Sequence, residues 1–281
     1  MPETGMTIGL IKALGGGASE AEIEELRSAI ATKTGIADSS RTGVDMDVSD
    51  ENGNVLLRLK DGHVQTKYFD SKYIRNLTGK KWACIGDSIT EANQRTTMHY
   101  HDYIAQETGI TVVNMGHSGS GFAKVGGDEM NYTDIAGTLT NDIDVVTIFA
   151  SGNDIGSGKD LGSATDTGTT TICGCINTTL DEVYSILPTK GLGVITTTPW
   201  ITAEPSDGNG SISQYCAAIV EICALRGIPC LDLYHCSLLH PDDSDFRALA
   251  YSKDEGNGVH PDETGHAMIA PRIRQFLFTL I

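Results

Sequence analysis

From Lys81 to the C-terminus, short apolar runs alternate with amphipathic segments, and this alternation constrains the fold more than any other property of the chain. Residues 144–150 read Asp-Val-Val-Thr-Ile-Phe-Ala. A β-branched, nearly continuous run of this kind marks a strand covered on both faces. Residues 82–85, 110–115, 193–198 and 229–233 are four further strand-like runs, and helical patterns are expected within 88–107 and over 175–187, 213–226 and 263–280. When each strand is followed by a helix, the chain crosses over before the next strand pairs, so the strands run parallel and helices cover the sheet. The expectation is an α/β domain over residues 81–281, with a five-stranded parallel sheet and one layer of helices on each side.

The first 80 residues have a different texture. Gly15-Gly16-Gly17 interrupts the chain, Ser19 is suited to an N-cap, and residues 20–32 carry Ala21, Ile23, Leu26 and Ile30 on one helical face. Alternating runs at 44–48, 54–59 and 63–69 then predict three short strands, separated by the turn-forming stretches Glu51-Asn52-Gly53-Asn54 and Asp61-Gly62. Residues 1–75 are therefore expected to form a small helix plus β-meander. Such a unit is too small for a substantial core of its own, so it is expected to pack on the larger domain or on copies of itself, giving a homo-oligomer. In texture this part resembles the connector segments that precede enzymatic or receptor-binding modules in bacteriophage tail proteins.

With 37 acidic and 20 basic residues, the formal charge is −17. That balance offers no basic patch for nucleic acid or an anionic membrane surface. The N-terminus lacks a basic n-region, and its apolar stretch at 8–14 is broken by Gly9 and Lys12, so no signal peptide is expected. No run of 18 apolar residues occurs, and the expectation is a soluble protein, cytoplasmic or associated with a phage particle. Seven cysteines, set mostly in apolar strands and helices, are expected to be buried reduced thiols. Cys173-Gly174-Cys175 lacks the spacing and the second ligand pair of a zinc site.

Four short blocks fall at or just after predicted strand ends: Gly86-Asp87-Ser88, Asn114 to Gly119, Gly152-Asn153-Asp154 and Val259-His260-Pro261. An open α/β sheet places its ligand site at that edge. A serine hydroxyl needs a base to take its proton, and its attack on a carbonyl creates an oxyanion that needs preorganised donors. Ser88 follows the first strand directly and is expected to open a helix, with its own N–H directed at the oxyanion. Gly119 has no side chain to hinder a close approach of its N–H, Asn153 can donate from its amide, and His260 can serve as base. Of the neighbours, Asn114 is expected to hold its turn through backbone bonds, Asp87 to brace the Ser88 turn, Asp154 to bond nearby backbone and Asp262 to cap the last helix. His117, His235, His240 and His266 read as surface or helix-packing residues.

These four blocks, in this order, resemble the SGNH hydrolases, also called GDSL esterases and lipases. Ser88 matches the nucleophile, Gly119 and Asn153 the oxyanion residues, and His260 the base. The resemblance covers residues 81–281. It implies a three-layer flavodoxin-like fold and ester hydrolysis with neither metal nor cofactor. The family usually has Asp three residues before the histidine, and here that position is Asn257. An amide can accept a bond from the imidazole but cannot stabilise its cation, and in serine proteases the Asp-to-Asn exchange costs about 10⁴ in turnover. Three arrangements follow: Asp254 replaces it, a backbone carbonyl orients a Ser-His dyad, or the domain is catalytically weak.

Trp200 follows the strand at 193–198 at the same sheet edge, where it can wall a pocket, stack on a sugar or simply pack. The loops at 156–171 and 204–211 are rich in Gly, Ser, Thr and Asp, a polar rim poorly suited to a long acyl chain. The expected substrate is a small-molecule or polysaccharide ester, with acetyl on a carbohydrate favoured. A lipid-directed esterase or thioesterase, and a non-catalytic phage structural or binding module, are the alternatives.

Overall fold

The computed structural model describes residues 46–49, 55–60, 63–66, 77–91, 95–200, 211–254 and 257–281. The chain divides into two compact units, Met1–Ile74 and Arg75–Ile281. In the first, strands β1 (Met46–Ser49), β2 (Val55–Lys60) and β3 (His63–Thr66) form an antiparallel sheet in the order β1-β2-β3. Met46 pairs with Leu59 and Leu57 with Thr66, and the register shifts between Val48 and Ser49. The helix expected at 20–32 lies outside the described residues.

The second unit is built on five parallel strands: β4 (Lys81–Gly86), β5 (Thr111–Gly116), β6 (Val145–Phe149), β7 (Gly191–Ile195) and β8 (Cys230–Leu231). Their order is β5-β4-β6-β7-β8, the flavodoxin-like order of a doubly wound sheet. Every residue of β6 is buried, as its nearly continuous apolar sequence requires, and the hydroxyl of Thr147 accepts from Trp82 Nε1 at 2.8 Å. Successive side chains point to opposite faces. Ala83, Ile85, Val146, Ile148 and Val194 enter one core, shared with residues of α2 (Tyr132–Ala136), α3 (Ile172–Ile186) and α4 (Ile212–Arg226). Trp82, Cys84, Val145, Phe149 and Ile195 enter the other, shared with α1 (Tyr100–Thr108) and α7 (Glu263–Leu280). The three layers follow from this two-sided burial. Two short helices, α5 (Leu233–Cys236) and α6 (Ser244–Ala250), come between β8 and α7.

Three local expectations are corrected. Ser88 does not open a helix: residues 87–91 form one turn, in which Asp87 O accepts from both Thr90 N and Glu91 N, and α1 begins only at Tyr100. The last strand shrinks to Cys230–Leu231 because Asp232 turns the chain, its carboxylate accepting from His235 N at the start of α5. The helix expected at 175–187 starts earlier, at Ile172, where Thr171 caps it through Gly174 N. The end of the chain follows expectation, with Asp262 accepting from Thr264 N and Gly265 N at the start of α7. All seven cysteines are free thiols; five are buried, Cys230 is half-buried and Cys236 is exposed. Among the described residues, no helix is long and apolar enough to cross a membrane.

Candidate active site

The four blocks converge at the carboxyl edge of the sheet, around β4 and its neighbours β5 and β6. There the winding reverses direction and the loops on either side diverge, opening a crevice. Ser88 lies immediately after β4 in a turn held from two sides. Asp87 Oδ1 accepts from Ile89 N at 2.9 Å, and its Oδ2 accepts from the Ser151 hydroxyl beyond β6. Burial pushes the Asp87 carboxyl above its ordinary range, and these two bonds oppose that rise. Gly86 permits the tight return, because a Cβ there would stand 2.1 Å from Thr90 Oγ1. Asn114 holds the adjoining turn as expected: its Oδ1 accepts from Gly116 N at 2.8 Å and its Nδ2 donates to Thr90 O at 2.9 Å.

Ser88 Oγ stands 2.9 Å from His260 Nε2. The other ring nitrogen, Nδ1, is 2.8 Å from Oδ1 of Asp254. Asp254 is 7% exposed, and its Oδ2 accepts from Val259 N at 2.7 Å and His260 N at 3.1 Å. A carboxylate only accepts, so Nδ1 carries the proton and Nε2 presents its lone pair to the serine. Ser88, His260 and Asp254 therefore form one hydrogen-bonded chain.

Asn257 is exposed and sits outside this chain. Its N–H donates to Asp254 O at 2.9 Å, and Gly258 then adopts φ +63°, a left-handed conformation that turns Val259 and His260 back towards the Asp254 carboxylate. The residue six positions before the histidine thus occupies the place that spacing alone would give to the residue three before it. Of the three arrangements open in the sequence, the geometry is that of Asp254 replacing the usual aspartate.

Gly119 lies in the turn after β5 with φ +79°. Asn153, after β6, donates from Nδ2 to Ser120 O at 3.2 Å, which puts its amide beside this turn and leaves a second amide hydrogen for a substrate oxygen. Asp154 holds the segment that follows. Its carboxylate accepts from Phe122 N (3.1 Å), Ala123 N (2.7 Å), Lys124 N (3.0 Å) and the Tyr215 hydroxyl (2.5 Å). Full burial raises its pKa to about 6, against the lowering effect of these bonds. Trp200 is half-buried and its ring lies on Gly152, where a Cβ would be 2.1 Å from Cζ2. The ring therefore adjoins Asn153.

The sequence reading missed two links, Asp87 to Ser151 and Asp154 to Tyr215, which join residues 64 and 61 positions apart. No local pattern announces such pairs, although Ser151 directly precedes the Gly-Asn-Asp block.

The GDSL-like lipase/acylhydrolase family model matches residues 84–268. Among solved structures, a protein from Lactobacillus plantarum is 27% identical, with a TM-score of 0.63 over 73% of this chain and 99% of that one. A possible lipase from Chitinophaga pinensis is 20% identical, with a TM-score of 0.54 over 71% and 98%. The aryl esterase of M. smegmatis is 14% identical, with a TM-score of 0.53 over 72% and 100%. No curated protein matches the chain.

Proposed function

Because this chain belongs to the GDSL-like lipase/acylhydrolase family, we propose that it is a serine esterase that removes short acyl groups, acetyl foremost, from a carbohydrate. The observation that carries the reading is the chain Ser88 Oγ, His260 Nε2, His260 Nδ1, Asp254 Oδ1, with steps of 2.9 and 2.8 Å across the two hydrogen bonds. Ser88 attacks the ester carbonyl while Nε2 takes the hydroxyl proton, and Asp254 stabilises the resulting imidazolium. The carbonyl oxygen becomes an oxyanion held by the N–H groups of Ser88 and Gly119 and the Asn153 amide. Collapse of the tetrahedral intermediate expels the sugar alkoxide, which leaves with the proton from Nε2. Water, deprotonated by the same nitrogen, then releases the acid and restores the serine.

The acyl and alcohol preferences rest on the surroundings. A cleft of about 290 Å³ runs beside the segment that leaves the oxyanion turn, where Phe122, Ala123, Val125 and Cys175 supply apolar walls and Asn131, Thr133, Asp134, Lys159 and Thr169 supply hydrogen-bonding groups, a mixture suited to the faces and hydroxyls of a sugar ring. The half-buried face of Trp200 supports the same reading, since a sugar ring stacks on an indole.

The test is hydrolysis of p-nitrophenyl acetate, butyrate and octanoate by wild type and Ser88→Ala, with acetate release from an acetylated oligosaccharide measured in parallel. Wild type is expected to favour acetate and Ser88→Ala to fall to background. Turnover that rises with chain length would replace the proposal with a lipid-directed esterase. Equal rates in the two proteins would remove the catalytic reading and favour a binding module.

A further inference from the structure

Behind the Ser88 turn, the start of α1 gathers two buried imidazoles and a carboxylate: His99 at the N-cap, His101 and Asp102 in the first turn. The two histidines are 4% and 2% exposed, and their ring planes lie within 2° of parallel with centroids 5.3 Å apart. Asp102 faces both, with Oδ2 3.4 Å from His99 Nδ1 and Oδ1 3.2 Å from His101 Nδ1. One ligand atom from each residue lies within 4.8 Å of the others.

Two of these nitrogens, His99 Nε2 and His101 Nδ1, are buried and have no hydrogen-bond partner. Buried polar atoms are nearly always satisfied, so each unpaired nitrogen needs an explanation. His101 supplies the sharper case. Its Nε2 lies 3.0 Å from Thr90 O and 3.1 Å from Asn114 Nδ2, whose amide already donates to that same carbonyl; in the tautomer whose Nε2 proton is directed at Thr90 O, Nδ1 carries a bare lone pair. That lone pair then faces a carboxylate oxygen 3.2 Å away with no hydrogen bond between them. Two electron-rich atoms this close are reconciled by a cation. Zinc bonds of about 2.0–2.2 Å in a tetrahedron set neighbouring ligand atoms ~3.3 Å apart, which the 3.2 Å between His101 Nδ1 and Asp102 Oδ1 matches, while the 4.8 Å spread of the three ligand atoms requires His99 to close in on the ion.

We propose that His99, His101 and Asp102 form a site for a divalent transition metal of the zinc class, separate from the ester chemistry. Imidazole with carboxylate selects zinc over calcium or magnesium, which prefer all-oxygen shells. The bond from His101 Nε2 to Thr90 O is the outer-shell contact that typically orients a ligating histidine. Asp102, with 41% of its side chain exposed, opens the site to solvent, which gives the ion entry and supplies its remaining ligands. The N-terminus of α1 opposes a cation, and the negative charges of Asp102 and of Glu263 on α7 offset it. The third ring in the cluster, His266, meets His99 edge-on at 5.2 Å, and its Nδ1 already accepts from Tyr100 N.

The ion would act as a brace. His101 touches the carbonyl of Thr90 in the Ser88 turn, and Tyr100 OH stands 3.0 Å from Thr90 Oγ1. Metal binding would therefore tie the start of α1 more firmly to the turn that carries the nucleophile.

The experiment titrates Co²⁺ and Zn²⁺ into chelator-treated full-length protein, following cobalt's visible d–d bands and calorimetric heat. It compares wild type with His101→Gln, Asp102→Asn and His260→Ala. Wild type and His260→Ala are expected to bind one equivalent, with affinity at least tenfold weaker in His101→Gln and Asp102→Asn. At zinc about a hundredfold above Kd, the wild-type thermal midpoint should rise by about 5–10 °C. Should His101→Gln fail to fold, Asp102→Asn at a half-exposed position carries the comparison. No saturable binding by wild type overturns the proposal, as does unchanged affinity in Asp102→Asn. Binding lost in His260→Ala would move the ion to the Ser88 site and overturn it equally.

Discussion

Replacing Asp254 by Asn tests the site at the point where sequence spacing and three-dimensional geometry diverge. The carboxylate has three hydrogen-bonded neighbours: Val259 N at 2.7 Å, His260 N at 3.1 Å and the His260 ring at 2.8 Å. An amide has one oxygen for these three donors. If that oxygen stays with the two backbone N–H groups, the amide NH₂ faces His260 Nδ1 and donates to it. The ring proton then moves to Nε2, which can no longer accept from Ser88. Loss of the charge that stabilises the imidazolium adds to this tautomer error. An Asp-to-Asn exchange with both consequences costs about 10⁴ in turnover, or about 5 kcal/mol of transition-state stabilisation. We expect kcat/KM for p-nitrophenyl acetate to fall by about 10³–10⁴ in Asp254→Asn, with the circular dichroism spectrum unchanged. Asn257→Asp, on an exposed side chain outside the hydrogen-bonded chain, should stay within about threefold of wild type. The reasoning is refuted if Asp254→Asn retains activity within tenfold of wild type, or if Asn257→Asp raises it by an order of magnitude.

Other consequences are equally open to measurement. Gly152→Ala places a Cβ 2.1 Å from the Trp200 ring, so either the indole or the backbone bearing Asn153 must move; kcat should drop at least tenfold, and a normal rate would show that neither displacement reaches the site. Asp254→Ala removes the acceptor for two backbone N–H groups as well as the imidazole partner, and chemical denaturation should show about 1–3 kcal/mol of lost stability. The Asp154 pKa of about 6 lies above the ordinary 3.8, so this group's contribution to stability is fully present below pH 3.8 and declines as pH rises to about 6. Asp154→Asn does not titrate there. Urea melts from pH 4 to 7 should therefore show wild type losing stability relative to the variant as pH rises, then levelling above about pH 6; a constant difference would contradict the assignment.

Much of the architecture was legible in the sequence because local chemistry decides it. The buried run at 145–149 has a single polar position, Thr147, whose hydroxyl accepts from the Trp82 indole inside the core, and alternation of such runs with helices leaves parallel crossovers as the connection. The strand ends could be located as well, and with them the block residues Ser88, Gly119 and Asn153, because a strand's apolar run stops where the sheet edge begins; His260 follows no strand, since α5 and α6 separate it from β8, and it was legible only from the His-Pro block before the last helix. The α7 cap at Asp262 was equally local: an Asp before the first helical turn satisfies its N–H groups.

Only the tertiary structure decided which carboxylate meets the imidazole. Asp254 and Asn257 are neighbours in sequence, and their roles are separated by backbone conformation, the left-handed Gly258 returning His260 to the earlier residue. The same is true of the Asp87–Ser151 and Asp154–Tyr215 links and of the grouping of Asp102 with two buried histidines. Periodicity reports which face of an element is buried, since burial acts on each residue singly. A hydrogen bond acts on a pair, and the pair exists only after the sheet has brought distant strand ends to one edge.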